Sequence, residues 1–365
     1  MRQPPSRPRP RRSRAPLRLA LSALSLLIAV GLVVYLPYFV DVGWSDIAAQ
    51  FAALDVRVVV GLVALWLAGL WAYTFVLTAS LPGLSHPQAM TLNATGSAVS
   101  NLMPFGGAAG VALTFALARS WGFRTNPIAV STVTSGLWNV LARFLLPALG
   151  LVALLATGRV PDARVAVPAL VAALGLVAVV AATVTALRWD TAARVTGRVA
   201  DDAMRLVPQR LLPHRIRPPR FLSSVALARL RTTTAGLLRT AWPTMTAGML
   251  AYLALQATLF CACLAATGAY VGLGAAVAAF ALGRLLTTVV VTPGGFGISE
   301  AGTAAAMVSL GGAAGPVAAA VLLFSTFTYL LEIPLGALFW SLRGLVARRP
   351  GTAGSRETTR PVRAG

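Results

Sequence analysis

Long apolar stretches, separated by short polar or arginine-bearing ones, run along most of the 365-residue chain. Residues 17–40, 57–80, 127–156, 165–187, 242–268 and 316–342 are each long enough to cross bilayer hydrocarbon, which takes about 20 residues of helix, and they predict six full spans. Two further apolar regions are interrupted. One divides into 88–103 and 105–118 at Pro104-Phe105-Gly106-Gly107, the other into 274–291 and 297–310 at Pro293-Gly294-Gly295. Proline and glycine at membrane depth free backbone groups that lipid cannot pair, so such breaks are tolerated only inside protein or beside a polar cavity. The pattern therefore predicts an all-α integral membrane protein with about six spans and two broken or re-entrant helix pairs. Residues 1–16 and 346–365 predict disordered polar tails around a membrane domain at 17–345. Arg11-Arg12 has the look of a twin-arginine signal, but the segment after it lacks a small-residue cleavage site, so an uncleaved first helix is expected.

The two breaks are related by position. Pro104 and Pro127 are 23 residues apart, as are Pro293 and Pro316, and a shift of 189 carries Pro104, Gly106, Gly122 and Pro127 onto Pro293, Gly295, Gly311 and Pro316. The same shift carries Arg143 onto Glu332. The repeating unit is a span, a broken pair and a long helix, at about 57–156 and 246–342. Three full crossings separate the first unit's opening span from the second broken pair, so the first pair enters from the cytoplasm and the second from outside. Inverted repeats with broken helices near the midplane are a transporter architecture.

Composition agrees with the membrane assignment. The chain is 57% hydrophobic with mean hydropathy +0.76, and only 11% of it is charged against about 25% in soluble domains. A net charge of +21 suggests nucleic acid in a soluble protein. Here the arginines gather in the tails and at 188–241, where eleven of them lie, as the positive-inside rule asks of cytoplasmic loops. Nucleic acid is therefore not expected as a partner, and both termini are expected in the cytoplasm. The arms of that loop, about 190–207 and 220–240, suit either basic amphipathic helices on anionic headgroups or a solvated linker. The loop at 41–56 bears Asp41, Asp46 and Asp55 with no arginine, which suits the outside. The absence of lysine and the Ala, Val and Gly bias point to a GC-rich bacterial genome and a bacterial cell membrane. Cys261 and Cys263, and the two histidines, give neither a disulfide framework nor a metal site, and no cofactor is expected.

Four ionisable residues fall at membrane depth: Arg143, Arg284, Glu300 and Glu332. Each costs about 2.5–3.5 kcal/mol if isolated at a helix centre, so pairing or access to water is expected. Symmetry suggests Arg143 with Glu332. Such a pair either fixes helix register or leaves an arginine to hold a lipid phosphate. Pro104 and Pro293 suit the first position of the second half-helix in each pair. Gly106, Gly107, Gly294, Gly295 and Gly297 then let an anionic headgroup approach the unpaired N–H groups there, with Asn101, Thr292 and Ser299 adding hydrogen bonds. The alternative is that these glycines serve close helix packing. Glu300, in the first turn, favours the helix dipole or selects a headgroup that also carries positive charge. Enzyme signatures are absent: no phosphate-binding loop, no histidine pair with metal spacing, no acidic pair of a nucleotide-sugar transferase.

The stretches N-L-M-P-F-G-G-A-A-G (101–110), T-P-G-G-F-G-I-S-E-A-G (292–302) and E-I-P-L-G (332–336) resemble the lysylphosphatidylglycerol synthase transmembrane-region family, over about 15–345. The resemblance implies a flippase-like role, moving an aminoacylated or other anionic phospholipid, or a polyprenyl-linked lipid, between leaflets. It is the region found without the synthase's soluble aminoacyl-transferase domain, so lipid synthesis by this chain is not expected. Two other functions fit the same features: a small-solute secondary transporter, and a non-transporting membrane partner of a glycosyltransferase or lipid synthase. Membrane lipids are the expected partners, with a lipid-modifying enzyme or a second copy of the chain left open.

Overall fold

A computed structural model describes residues 43–102, 106–158, 224–287 and 295–346, with scattered helical positions between 167 and 181. The described chain is helical throughout: α1 (Trp44–Ala52), α2 (Val56–Ser80), α3 (His86–Leu102), α4 (Gly106–Ser120), α5 (Thr125–Ala156), α6 (Ser224–Ala266), α7 (Leu273–Leu286), α8 (Ile298–Ser309), α9 (Ala314–Ser325), a π-turn (Thr326–Leu330) and α10 (Glu332–Val346). Four stretches are long and apolar enough to cross a membrane: Val56–Ser80, Thr125–Ala156, Thr240–Ala266 and Ala314–Val346. They coincide with four of the six expected spans. The span at 17–40, most of 165–187 and both tails lie outside the described residues.

Local chemistry sets the helix ends. Asp55 caps α2 by accepting from the Arg57 N–H at 2.6 Å. Ser85 and Gln88 form a reciprocal capping box before α3, with Ser85 N donating to Gln88 Oε1 at 3.0 Å and Gln88 N to Ser85 Oγ at 3.4 Å, so two end-of-helix donors are paired at once. Arg119 closes α4 by donating to the Phe123 carbonyl at 3.0 Å. Pro147 lies inside α5 and Pro243 inside α6 without ending either helix.

Three expectations are corrected. The loop at 41–56 holds a helix, α1, packed against α9, because Ile47 inserts into the core at 1% exposure. The second arm of the arginine-rich loop is not a separate surface helix: from Ser224 it is continuous with the crossing, in one helix of 43 residues. The last helix is one crossing, Ala314–Val346, but not α-helical throughout, since a π-turn at Thr326–Leu330 lies within it. Pro334 is the physical reason. It has no N–H to give the carbonyl four or five residues earlier, and a local π register absorbs that mismatch.

Packing relies on small residues, as expected where lipid removes the hydrophobic drive between helices. α2 lies along α6, α5 against α7, and α3 against α10. A Cβ on Gly150 of α5 meets Ala278 Cα of α7 at 3.0 Å, and one on Gly336 of α10 meets the Ala94 carbonyl of α3 at 2.5 Å. α3 and α4 form an antiparallel hairpin in which Gly96 faces Gly110 and Ser100 faces Gly106. α7 and α8 form a second, with Gly283 against Thr303 and Gly302 against Leu286.

Candidate functional site

Polar side chains recur every fourth residue inside otherwise apolar helices, and this spacing puts them on one face. Ser131, Ser135, Asn139 and Arg143 do so on α5, Asn93, Ser97 and Asn101 on α3, and Tyr252 and Gln256 on α6; all line one cavity of about 490 Å³. Tyr73 of α2, Arg284 of α7 with Thr287 at its C-terminal cap, Thr328 and Tyr329 of the π-turn, and Glu332 also line it. The described parts of both breaks reach it: Gly106, Gly107 and Gly110 from the first, Gly295 from the second. A volume of this order falls within the roughly 300–1,000 Å³ of small-molecule sites.

The charged residues lining the cavity are Arg143, Arg284 and Glu332, an excess of one positive charge. The arginines are not neutralised by direct pairing in the way symmetry suggested. Glu332 accepts from Asn101 Nδ2 at 3.3 Å, and Arg284 is the cation whose field acts on it. Arg284 donates to the Tyr252 hydroxyl at 3.4 Å. Arg143 has Tyr73, Tyr252, Tyr329 and the second guanidinium as its electrostatic neighbours. Tyr73 is held in turn by Asn139, whose Nδ2 donates to its hydroxyl at 2.7 Å, and its ring lies 5.2 Å from that of Tyr252. Two guanidiniums set among tyrosine hydroxyls form a ready site for a phosphate. Gln256 adds a further feature: it is 2% exposed, and its Oε1 accepts no hydrogen bond among the described residues. A buried acceptor without a donor is costly.

Glu300 lies elsewhere. It lines a smaller void of about 30 Å³ with Ser299, Ser325 and Phe324, and Arg284, Thr287, Thr328 and Tyr329 border both spaces. At 2% exposure its carboxylate is fully occupied. Oε2 accepts from the Gly297 N–H at 2.5 Å and Ser299 Oγ at 2.9 Å, and Oε1 from Ser325 Oγ at 2.6 Å. Gly297, at φ 89°, is the N-cap of α8, a backbone conformation that side chains beyond glycine adopt only under strain. Glu300 thus caps its own helix and ties it to the end of α9. The N–H it takes up is one of those expected to meet a headgroup.

Among the other expected residues, Gly106 and Gly107 separate into the two alternatives weighed above. A Cβ on Gly106 would fall within the Ser100 backbone, whereas nothing lies within 4 Å of one on Gly107. Gly106 serves the hairpin turn, and Gly107 opens on the cavity. Pro104, Thr292, Pro293 and Gly294 lie outside the described residues. Tyr73, Asn139, Tyr252, Gln256 and Tyr329 were not anticipated. The i, i+4 spacing of polar residues on α5 and α6 was the available signal.

The π-turn joins the halves of the site. Asn101 Nδ2 lies 3.5 Å from the Thr328 carbonyl oxygen, 3.4 Å from that of Tyr329 and 3.3 Å from Glu332 Oε2. The first hairpin therefore meets the π-turn through Asn101, and the second meets Ser325, the residue before that turn, through Glu300.

Comparison with known proteins places this architecture. None of the curated proteins matches the chain. The family model described as the lysylphosphatidylglycerol synthase TM region matches residues 22–336, a range that takes in every residue of the cavity. With four described helices long enough to span, this is a multi-pass membrane protein, and it belongs to the lysylphosphatidylglycerol synthase TM-region family.

Proposed function

We propose that the chain moves a lipid with an anionic headgroup between the leaflets of a bacterial cell membrane, without catalysing a chemical step. The observation that carries this is the presence of Arg143 of α5 and Arg284 of α7 in one cavity with a single carboxylate. The phosphate lies between the guanidiniums, and a hydroxyl or ammonium on the headgroup turns to the polar side chains of α3 and α5. An aminoacylated phosphatidylglycerol or a polyprenyl-linked phosphate has both features. The inverted repeat belongs to the same proposal. Exchanging α2–α5 with α6–α10 turns the α5–α7 contact into the α3–α10 contact and one hairpin into the other, as alternating access about a pseudo-two-fold axis requires.

Purified protein reconstituted with fluorescent lipids, whose outer-leaflet label is quenched chemically, tests the function. Anionic lipid is expected to exchange, and Arg143→Gln to abolish that exchange in folded protein. Movement of a soluble solute instead points to a secondary transporter. Absence of both, with a lipid-modifying enzyme co-purifying, points to a membrane partner. For topology, Ser120→Cys and Ala313→Cys are expected to label from opposite sides of the membrane. Labelling from one side removes the inverted repeat.

A further inference from the structure

We infer that the junction of the π-turn with Asn101 and Glu332 is a binding site for a monovalent cation, of which Na⁺ is the fitting example. The geometry begins from one atom. Asn101 Nδ2 lies 3.3–3.5 Å from three oxygens: Glu332 Oε2 and the Thr328 and Tyr329 carbonyls. These contacts are longer than good N–H···O bonds, which cluster near 2.9–3.0 Å. An amide also has only two protons for three acceptors. Which end of an Asn side chain is nitrogen is set by its surroundings. Turning the amide over places Oδ1 at the same point, and four oxygens from the side chains of Asn101 and Glu332 and two main-chain carbonyls then converge.

The spacing suits an ion. Ligand oxygens about 3.4 Å apart at right angles around a centre lie about 2.4 Å from it, within the 2.3–2.6 Å of oxygen ligands around Ca²⁺, an ion of nearly the size of Na⁺. Charge limits the valence. The lining already carries one excess positive charge and the Arg284 guanidinium acts on Glu332, so a monovalent ion is disfavoured less than a divalent one. Main-chain carbonyls at irregular points of a helix are also what transporters offer to coupling ions, and here the π-turn lies just before Pro334.

Occupancy has a mechanical consequence. An ion at this junction takes the place of the Asn101 N–H bonds by which the first hairpin holds the π-turn. It also sits near Arg284, so an anion that neutralises the guanidiniums strengthens cation binding, and the cation strengthens anion binding by the same factor. This coupling rests on the proposed lipid function; the ion site itself does not.

The test is equilibrium binding of ²²Na⁺ to the purified full-length protein in detergent, with choline chloride holding ionic strength constant. Saturable binding is expected, displaced by unlabelled NaCl and not by choline. Asn101→Ala and Glu332→Gln are each expected to weaken it about tenfold or more. Pro334→Ala, at an exposed position, tests the backbone contribution while leaving both side chains in place, and keeps the test decisive should Glu332→Gln not fold. No saturable binding, binding unchanged by both Asn101→Ala and Pro334→Ala, or stronger displacement by Ca²⁺ than by Na⁺ overturns the inference. A short-chain anionic lipid is expected to tighten Na⁺ about tenfold. Lipid exchange without Na⁺ binding removes the site and leaves the function standing; Na⁺ binding without lipid exchange does the reverse.

Discussion

Replacing Glu300 separates a carboxylate that builds the site from one that touches the substrate. Its two oxygens receive three donors, the Gly297 N–H and the hydroxyls of Ser299 and Ser325, at 2.5, 2.9 and 2.6 Å. Glu300→Ala removes the acceptor of all three at a buried position. Each costs about 1–3 kcal/mol, and because the three share one acceptor group the losses do not add fully. A total of about 3–6 kcal/mol is expected, a large part of the stability a typical protein has. Glu300→Gln should behave differently. The amide oxygen can take the Gly297 and Ser299 donors while the amide nitrogen faces Ser325, whose hydroxyl turns to accept; a loss near 1 kcal/mol is expected. In a Cys261→Ala background, which removes the partly exposed thiol, Cys263 is 0% exposed, so a thiol-reactive dye follows melting in detergent. Glu300→Ala should melt well below the native protein and Glu300→Gln close to it, with lipid exchange following the folded fraction in both. An unchanged melting curve for Glu300→Ala refutes the capping role. A Glu300→Gln protein that melts normally yet moves no lipid shows that the negative charge itself acts on the substrate.

Three further outcomes follow from the cavity. Arg143→Gln removes a partly buried charge whose neighbours are tyrosines and another arginine, so melting should hold or rise while anionic-lipid exchange falls about tenfold or more. Gly106→Ala should disrupt the first hairpin, since its methyl would fall on the Ser100 backbone, whereas Gly107→Ala meets open space and should change stability by no more than about 1 kcal/mol; dye melting of the two variants compares them directly. Gln256→Met removes a buried acceptor without a donor and should stabilise the protein by about 1 kcal/mol, read by the same dye melting.

Hydropathy located the crossings because a run such as 57–80 answers directly to bilayer thickness, and α2 ends within a residue of that expectation. The breaks were legible for a similar reason, as proline and glycine carry strong backbone constraints. Where the chain continues in one register, sequence was less informative. Nothing in 220–240 announces that its helix runs on into the next span, because helix propensity does not register whether a helix lies on the membrane or enters it. Pairing of charges was harder still. Arg143 and Glu332 occupy equivalent positions, yet Glu332 turns to Asn101 and Arg284, since partners depend on how α3 docks against α10. Glu300, conspicuous within an apolar stretch, proved to be occupied by its own helix end. The tyrosine and glutamine lining of the cavity was overlooked because these residues are uncharged; a four-residue spacing marks Tyr252 and Gln256, and nothing local marks Tyr73.

The continuity of α6 has a consequence outside the membrane. The helix is 43 residues long, and its apolar part, Thr240–Ala266, accounts for 27 of them. The remaining turns form a rod about 24 Å long, rigidly continuous with a crossing that supplies Tyr252 and Gln256 to the cavity. A tilt of about 10° at the membrane boundary would swing the far end of that rod by about 4 Å. Under the proposed function, rearrangement around a headgroup in the cavity would move the far end of this rod, where a spin label can register it.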